Sequence, residues 1–339
     1  MTDRLHRLPK AELHVHLDGS LRPETMLELA RTRGVSLVAD DARALGHAMV
    51  EGRATSLEEY LDRFAVTLAL MQDVEALERI AYELAADHAA ENVRYLEVRF
   101  CPALCTGRGL AASGVLDAVL AGLARAESDF EIRTAVIVCA LRSLSPTASR
   151  EMAELAISFG GRGVCAFDLA GAEAGYPVHH HVDALRAVAR AGLPITIHAG
   201  EGFGSASIRE AIELGRASRI GHGTRLGEDP DLLRTVREAG IPLEVCLTSN
   251  VQTGVAGSYA THPLRRYFDE GIRVCLCTDN RLMSGITLTR EYEHAHWDLG
   301  FAWSELVQLA RAGFECAFST EDVRASLLDD FDVQTAAGS

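Results

Sequence analysis

The chain has 339 residues, with 33 Lys plus Arg against 48 Asp plus Glu, and a formal net charge of −15. Hydrophobic residues make up 48% and charged residues 24%, the balance of a globular rather than a disordered protein. The acidity argues against a nucleic-acid partner, which needs a basic face, yet leaves a single nucleoside admissible as a substrate. The opening Met1-Thr2-Asp3-Arg4-Leu5-His6-Arg7 is polar, and no apolar run approaches the roughly 20 residues of a membrane span. Neither a targeting segment nor a membrane partner is expected.

The first predicted strand is Ala11–Leu17. About 75 residues separate it from the second, Arg94–Phe100, far more than one connecting helix needs. Within that gap Pro23–Arg33, Ser56–Met71 and Val74–Ala90 read as helices. Further strands are predicted at Arg133–Leu141, Gly163–Leu169, Pro194–His198, Arg219–Gly221, Pro242–Thr248 and Arg273–Thr278. Amphipathic stretches separate them, among them Val182–Ala191, Ser207–Leu214 and Pro230–Ala239. Gly192-Leu193-Pro194, Gly240-Ile241-Pro242 and Gly271-Ile272-Arg273 repeat one device, a helix stopped at glycine with a strand beginning just beyond.

Eight strand–helix alternations predict an α/β fold, a (β/α)8 TIM barrel, as one domain over residues 1–339. The rival doubly wound sheet would carry a Gly-rich phosphate loop after its first strand. Here that strand runs into His14-Val15-His16-Leu17-Asp18-Gly19. Residues 20–75 are then a helical insertion after the first strand, at the catalytic face, where they read as a lid. A packing decoration is the alternative.

Eight cysteines are not a redox signature. Cys139, Cys165, Cys246, Cys275 and Cys277 lie in apolar β-like runs, and no C-x-x-C occurs. Cys101 and Cys105 make a weak metal or disulfide pair. Free thiols in a reducing cytoplasm are the better reading.

Thirteen histidines need sorting. His6, His47, His88, His294 and His296 read as surface or satisfied core residues, and His262, before Pro263, as structural. His179-His180-His181 opens a helix, where consecutive side chains diverge. Four others share an address with a carboxylate. His14 and His16 end the first strand, His198 the fifth, His222 the sixth and Asp279 the eighth. Strand period 2 sends His14 and His16 to one side, and a barrel brings these strand ends to one mouth. Three imidazoles and a carboxylate suit Zn²⁺, with Fe²⁺, Mn²⁺ or Co²⁺ as substitutes, and leave a position for water. A metal-free network would have to bury several imidazoles beside carboxylates. Glu201, three residues beyond His198, reaches the same mouth. Shielded from water, it would have a raised pKa and act as an acid. Its alternative role is a carboxylate at a helix entry. Asp18 also faces the mouth, or serves the Asp18-Gly19 turn. Nucleophile-elbow, P-loop, His-Glu-x-x-His and cytidine-deaminase zinc signatures are all missing.

The chain resembles the adenosine deaminases, the purine-nucleoside branch of the amidohydrolase superfamily. The stretches that carry the resemblance are Lys10-Ala11-Glu12-Leu13-His14-Val15-His16-Leu17-Asp18-Gly19-Ser20, Arg94–Phe100, Phe167-Asp168-Leu169-Ala170-Gly171, His198-Ala199-Gly200-Glu201, Arg219-Ile220-Gly221-His222-Gly223-Thr224-Arg225, Thr248-Ser249-Asn250 and Thr278-Asp279-Asn280. They run in family order up to about residue 320. The tail beyond about Asp330 matches nothing and is expected to fray.

The resemblance implies one Zn²⁺ per chain, held by His14, His16, His198 and Asp279. It implies Glu201, His222 and Asp279 as catalytic residues. Glu201 would protonate purine N1, His222 would sit beside the developing oxyanion, and Asp279 would orient or deprotonate the attacking water. His16, Asp18, Phe64, Gly171 and Asn280 would contact the substrate: Asp18 a ribose hydroxyl, the Gly171 N–H purine N3, and Phe64 covering the ligand as a hydrophobic lid residue. Two positions depart from the family pattern. Asn280 stands where an aspartate usually meets purine N7, and Leu247 where a proline is usual. The implied activity is hydrolytic deamination of adenosine and 2′-deoxyadenosine to inosine and 2′-deoxyinosine, in the cytoplasm. Asn280 keeps a modified adenine nucleoside such as aminodeoxyfutalosine open as the substrate. A catalytically inactive nucleoside-binding protein is the reading from a different class. The sequence leaves the oligomeric state open.

Overall fold

The computed structural model describes residues 1–50 and 63–337. Among the described residues, eight parallel strands follow one another in the order β1 to β8: Lys10–His16, Val93–Phe100, Arg133–Leu141, Val164–Ala170, Ile195–Ala199, Arg219–His222, Leu243–Val245 and Val274–Leu276. Just past β8, the Asp279 N–H donates to the His14 carbonyl at 2.8 Å, and the His16 N–H donates to the Asp279 carbonyl at 2.7 Å. Those bonds close the sheet on itself, so the fold is a (β/α)8 barrel. The residues that complete the barrel are the residues expected to carry the chemistry.

Helices pack on the outer faces of the strands, which are buried along almost their whole length. This is why the strands read as near-continuous apolar runs. Helix Pro230–Ala239 ends as expected. Gly240 takes a left-handed φ of 65°, and the Ile241 N–H reaches back to the Val236 carbonyl at 3.1 Å. Two strands are shorter than expected. β7 stops at Val245 and the chain turns into helix Leu247–Gln252, because the Thr248 N–H donates to the buried Glu291 carboxylate instead of a neighbouring strand. β8 stops at Leu276, and the Thr278 N–H and hydroxyl both donate to Glu12.

Between β1 and β2 lie helices Pro23–Arg33, Ala42–Val50, Phe64–Leu70 and Val74–Ala89. The first and last match expectation. The predicted Ser56–Met71 helix is described from Phe64 onward, and its earlier part lies outside the described residues. Helix Ala42–Val50 was not foreseen, since it buries only Leu45 and Met49, too faint a periodicity to read. The tail corrects a second expectation. Glu321–Ala337 is helical, and Phe331 is buried with its ring 5.5 Å from that of Phe314. Leu327 and Phe331, one turn apart, hold this segment down. No helix among the described residues is long and apolar enough to cross a membrane.

The barrel interior carries a network of buried charges. Arg99 on β2, fully buried, donates to Asp168 on β4 at 3.1 Å and to Glu244 on β7 at 2.8 Å. Arg219 on β6 donates to the other oxygen of Glu244 at 2.6 Å and to Glu97 on β2 at 2.5 Å. Isolated charges at such depth would be expensive, and here each is paired and hydrogen-bonded. Burial alone would raise Glu244, but Arg99 and Arg219 hold its carboxyl well below the usual range. The network forms a fixed anionic floor under the strand ends.

Candidate active site

Two imidazoles stand on that floor. His14 Nδ1 lies 2.8 Å from Glu244 Oε2, and His198 Nδ1 lies 3.0 Å from Asp168 Oδ2. A carboxylate at Nδ1 demands a proton there, which leaves the Nε2 lone pair facing the barrel mouth. His14 Nε2 is buried with no hydrogen-bond partner. His16 Nε2 sits 3.1 Å from His198 Nε2 and 3.4 Å from Asp279 Oδ1, and His14 Nε2 is 3.5 Å from the same oxygen. The other Asp279 oxygen accepts from the Ser249 hydroxyl at 2.6 Å. Burial would raise the Asp279 carboxyl, but the His14 contact and the surrounding imidazoles hold it well below its ordinary value.

His222 completes the cluster. One donor atom each from His14, His198, His222 and Asp279 lie within 4.8 Å of one another. This geometric group contains His222 in place of the expected His16, although His16 touches both His198 and Asp279. His222 and Asp279 have φ of 61° and 62°. Left-handed backbone is uncommon away from glycine and clusters at functional sites, where it aims a side chain.

Glu201 lies at the edge of this cluster, 4% exposed, with Oε2 3.4 Å from His222 Nε2. Burial, and then the negative charges of Asp279 and Glu173, push its carboxyl well above the ordinary glutamate value. A carboxyl shifted upward holds its proton to higher pH and is the better placed to act as a general acid. The loop is pinned from behind: Glu173 accepts from the N–H groups of Gly200, Glu201 and Gly202 at 2.9, 2.8 and 2.8 Å. Sequence reasoning missed Glu173, two residues beyond the expected Gly171.

A cavity of about 220 Å³ opens above these groups. His16, Asp18, Phe64, Gly171, His198, Glu201, His222, Asp279 and Asn280 all line it, and His14 lies beneath. Every sequence-predicted site residue is therefore brought to one place. A larger, more open cleft of about 570 Å³ shares only Glu201 with it and carries none of the imidazoles. Asp18 is buried with one oxygen unpartnered, and burial with the Asp279 charge pushes its carboxyl up to about 7. The Asn280 side chain fits because Gly19 has no Cβ, which would lie 1.8 Å from Asn280 Oδ1. The triple histidine is no metal site: His181 is buried between the Ser149 hydroxyl and the Arg142 carbonyl, while its two neighbours are exposed. Cys101 and Cys105 are free thiols.

A parallel (β/α)8 barrel with imidazoles, a carboxylate and a buried acid converging at the strand ends defines a hydrolase of the amidohydrolase type. A sequence profile of the adenosine deaminase family matches residues 9–334. The chain belongs to the adenosine deaminase family. An adenosine deaminase of Mycobacteroides abscessus is 44% identical, over 95% of this chain and 93% of that one. Among solved structures, an adenine deaminase from Arthrobacter aurescens superposes with a TM-score of 0.89 at 29% identity, covering 97% of this chain and 99% of that one. An amidohydrolase from Burkholderia ambifaria, solved with bound zinc, has a TM-score of 0.89 at 25% identity, covering 99% of this chain and 94% of that one.

Proposed function

We propose that this chain is a zinc-dependent hydrolase, one Zn²⁺ per chain, that deaminates adenosine and 2′-deoxyadenosine to inosine and 2′-deoxyinosine with release of ammonia. The observation that carries the reading is Glu201, a buried carboxyl pushed well above the ordinary glutamate value by burial, beside a cluster of imidazoles and a carboxylate in a cavity of about 220 Å³. The donor set fits a borderline divalent ion. His14, His16 and His198 offer imidazole nitrogen, Asp279 offers carboxylate oxygen, and His14 Nε2, buried without a hydrogen-bond partner, is approached by Asp279 Oδ1 at 3.5 Å. Zinc, when bound, supplies a Lewis acid that brings the pKa of a water to about 7.

Glu201 protonates purine N1 and so makes C6 electrophilic. Asp279, anchored by Ser249, orients the attacking water and takes its proton. His222 donates a hydrogen bond to the oxygen that becomes anionic as it adds to C6. The amino group takes up the proton held by Asp279 and leaves as ammonia, while the C6 hydroxyl gives its proton back to Glu201 and becomes the carbonyl of the product. Phe64 and Leu68 of the insertion form part of the cavity wall and exclude bulk water, which supports residues 20–75 as a lid on a single catalytic domain. Eight free cysteines support a reducing, cytoplasmic setting.

Asp18 favours a nucleoside over a free base, because its unpartnered oxygen suits a ribose hydroxyl that adenine does not have. Gly171 offers its N–H to N3. Asn280 addresses N7. That atom is an acceptor, so its partner must donate, and a carboxamide donates at any pH where an aspartate would have to be protonated. The substitution at this position is therefore chemically equivalent to the family's usual residue. Purified protein given adenosine should lose the 6-aminopurine absorbance and release one ammonia per nucleoside. A 7-deazaadenosine substrate, with C–H in place of N7, should be turned over about 5- to 150-fold less efficiently in kcat/KM, since a buried donor is left unpaired at about 1–3 kcal/mol. Gly19→Ala, whose Cβ displaces the Asn280 side chain, should lower adenosine turnover and erase the discrimination between the two nucleosides. Equal kcat/KM for both in the unaltered protein would return Asn280 to a structural role.

A further inference from the structure

His222 differs from its neighbours in what faces its Nδ1. His14 and His198 each meet a carboxylate there, whereas His222 Nδ1 lies 3.1 Å from the amide nitrogen of Asn250. The orientation of that amide is fixed from outside the site. The backbone N–H of Leu264 donates to His262 Nδ1 at 3.1 Å, and a backbone N–H can only donate. His262 is buried, and burial pushes its pKa down to about 3, so the ring is neutral and carries its one proton on Nε2. That Nε2–H donates to Asn250 Oδ1 at 3.1 Å, and the Thr224 hydroxyl donates to the same oxygen at 2.8 Å. With two donors on one side, the Asn250 NH2 has to face His222. Two donors cannot face each other, so His222 Nδ1 presents a lone pair and the ring's proton is on Nε2.

We propose that Asn250 and His262 are positioning residues, which relay the direction of the Leu264 N–H through two side chains and hold His222 as its Nε2–H tautomer. A proton on Nε2 leaves no lone pair for an ion. His222 therefore enters the cavity as a hydrogen-bond donor, its Nε2 3.4 Å from Glu201 Oε2. The inference rests on the proposed reaction only for what His222 donates to; the tautomer itself is independent of any substrate.

The test is a long-range ¹H–¹⁵N spectrum of the zinc-loaded, histidine-labelled protein, read together with steady-state kinetics. The expected wild-type signature for His222 is a protonated Nε2 and an unprotonated Nδ1. Asn250→Asp keeps the oxygen that accepts from Thr224 and His262 but turns the third contact from donor to acceptor. It should move the His222 proton to Nδ1 and lower kcat by about 10²-fold or more, with KM and metal content nearly unchanged. His262→Gln can accept from Leu264 and donate to Asn250, and should keep the wild-type signature and most of the activity. His262→Leu should shift both readouts toward those of Asn250→Asp. A wild-type His222 protonated at Nδ1, or an Asn250→Asp protein with unchanged signature and undiminished kcat, would overturn the relay. A wild-type Nε2–H signature in a protein that deaminates no 6-aminopurine would support the relay while refuting the proposed reaction.

Discussion

Glu201→Gln is expected to keep its full complement of metal and to lose at least about 10²-fold in kcat, the usual scale for removing a general acid. The substitution preserves shape and leaves a hydrogen-bond donor, so binding of a purine should change little. What it removes is a transferable proton. The wild-type carboxyl is available as an acid because burial and the charges of Asp279 and Glu173 push its pKa up. Deamination should therefore decline as pH rises through that elevated value, when Glu201 ionises. In Glu201→Gln this limb of the pH profile should vanish along with most of the rate. Glu173→Gln should lower the pH at which the wild-type limb appears, because it removes one of the two charges. Near-wild-type turnover by Glu201→Gln would mean that another group protonates the ring.

The second large effect separates the metal set from its neighbour. His16→Ala should lose metal and activity together, whereas His222→Ala should retain about one equivalent of zinc and lose activity alone. Geometry by itself does not divide the two residues, since His222 lies in the tight cluster of donor atoms and His16 at its edge. Chemistry divides them. A ligand needs a free Nε2 lone pair, which the proposed donation from the Asn250 amide to Nδ1 would deny to His222. Elemental analysis of the two purified variants decides the matter. A metal-free His222→Ala protein beside a loaded His16→Ala protein would assign the ion to His14, His198, His222 and Asp279 instead.

Much of this was legible because the chemistry sits where periodicity changes. His14, His16, His198, His222 and Asp279 stand at the ends of apolar runs, so their common address followed once eight strands were counted. The supporting groups were harder to read. Arg99, Asp168, Arg219 and Glu244 are charged residues inside strands that are otherwise apolar, and that contradiction was the available signal. Their partners lie 25 to 145 positions away in sequence, so pairing them required the closed barrel. His262 read as structural, and the description holds for its neutrality and burial. Its hydrogen bond to Asn250, twelve positions back, had no sequence signature. Helix Ala42–Val50 and the buried Phe331 were missed for the opposite reason, since one or two apolar residues suffice to hold a segment whose pattern is weak.

The most direct measurement is kcat/KM of the zinc-loaded protein for adenosine, 2′-deoxyadenosine, adenine and aminodeoxyfutalosine, each followed by ammonia release. Adenosine and 2′-deoxyadenosine should be turned over at comparable efficiency. Adenine, without a ribose for Asp18, should be disfavoured by about 10-fold or more, the worth of one buried hydrogen bond. A preference for adenine or for aminodeoxyfutalosine, or no ammonia from any of the four, would contradict the proposed reaction.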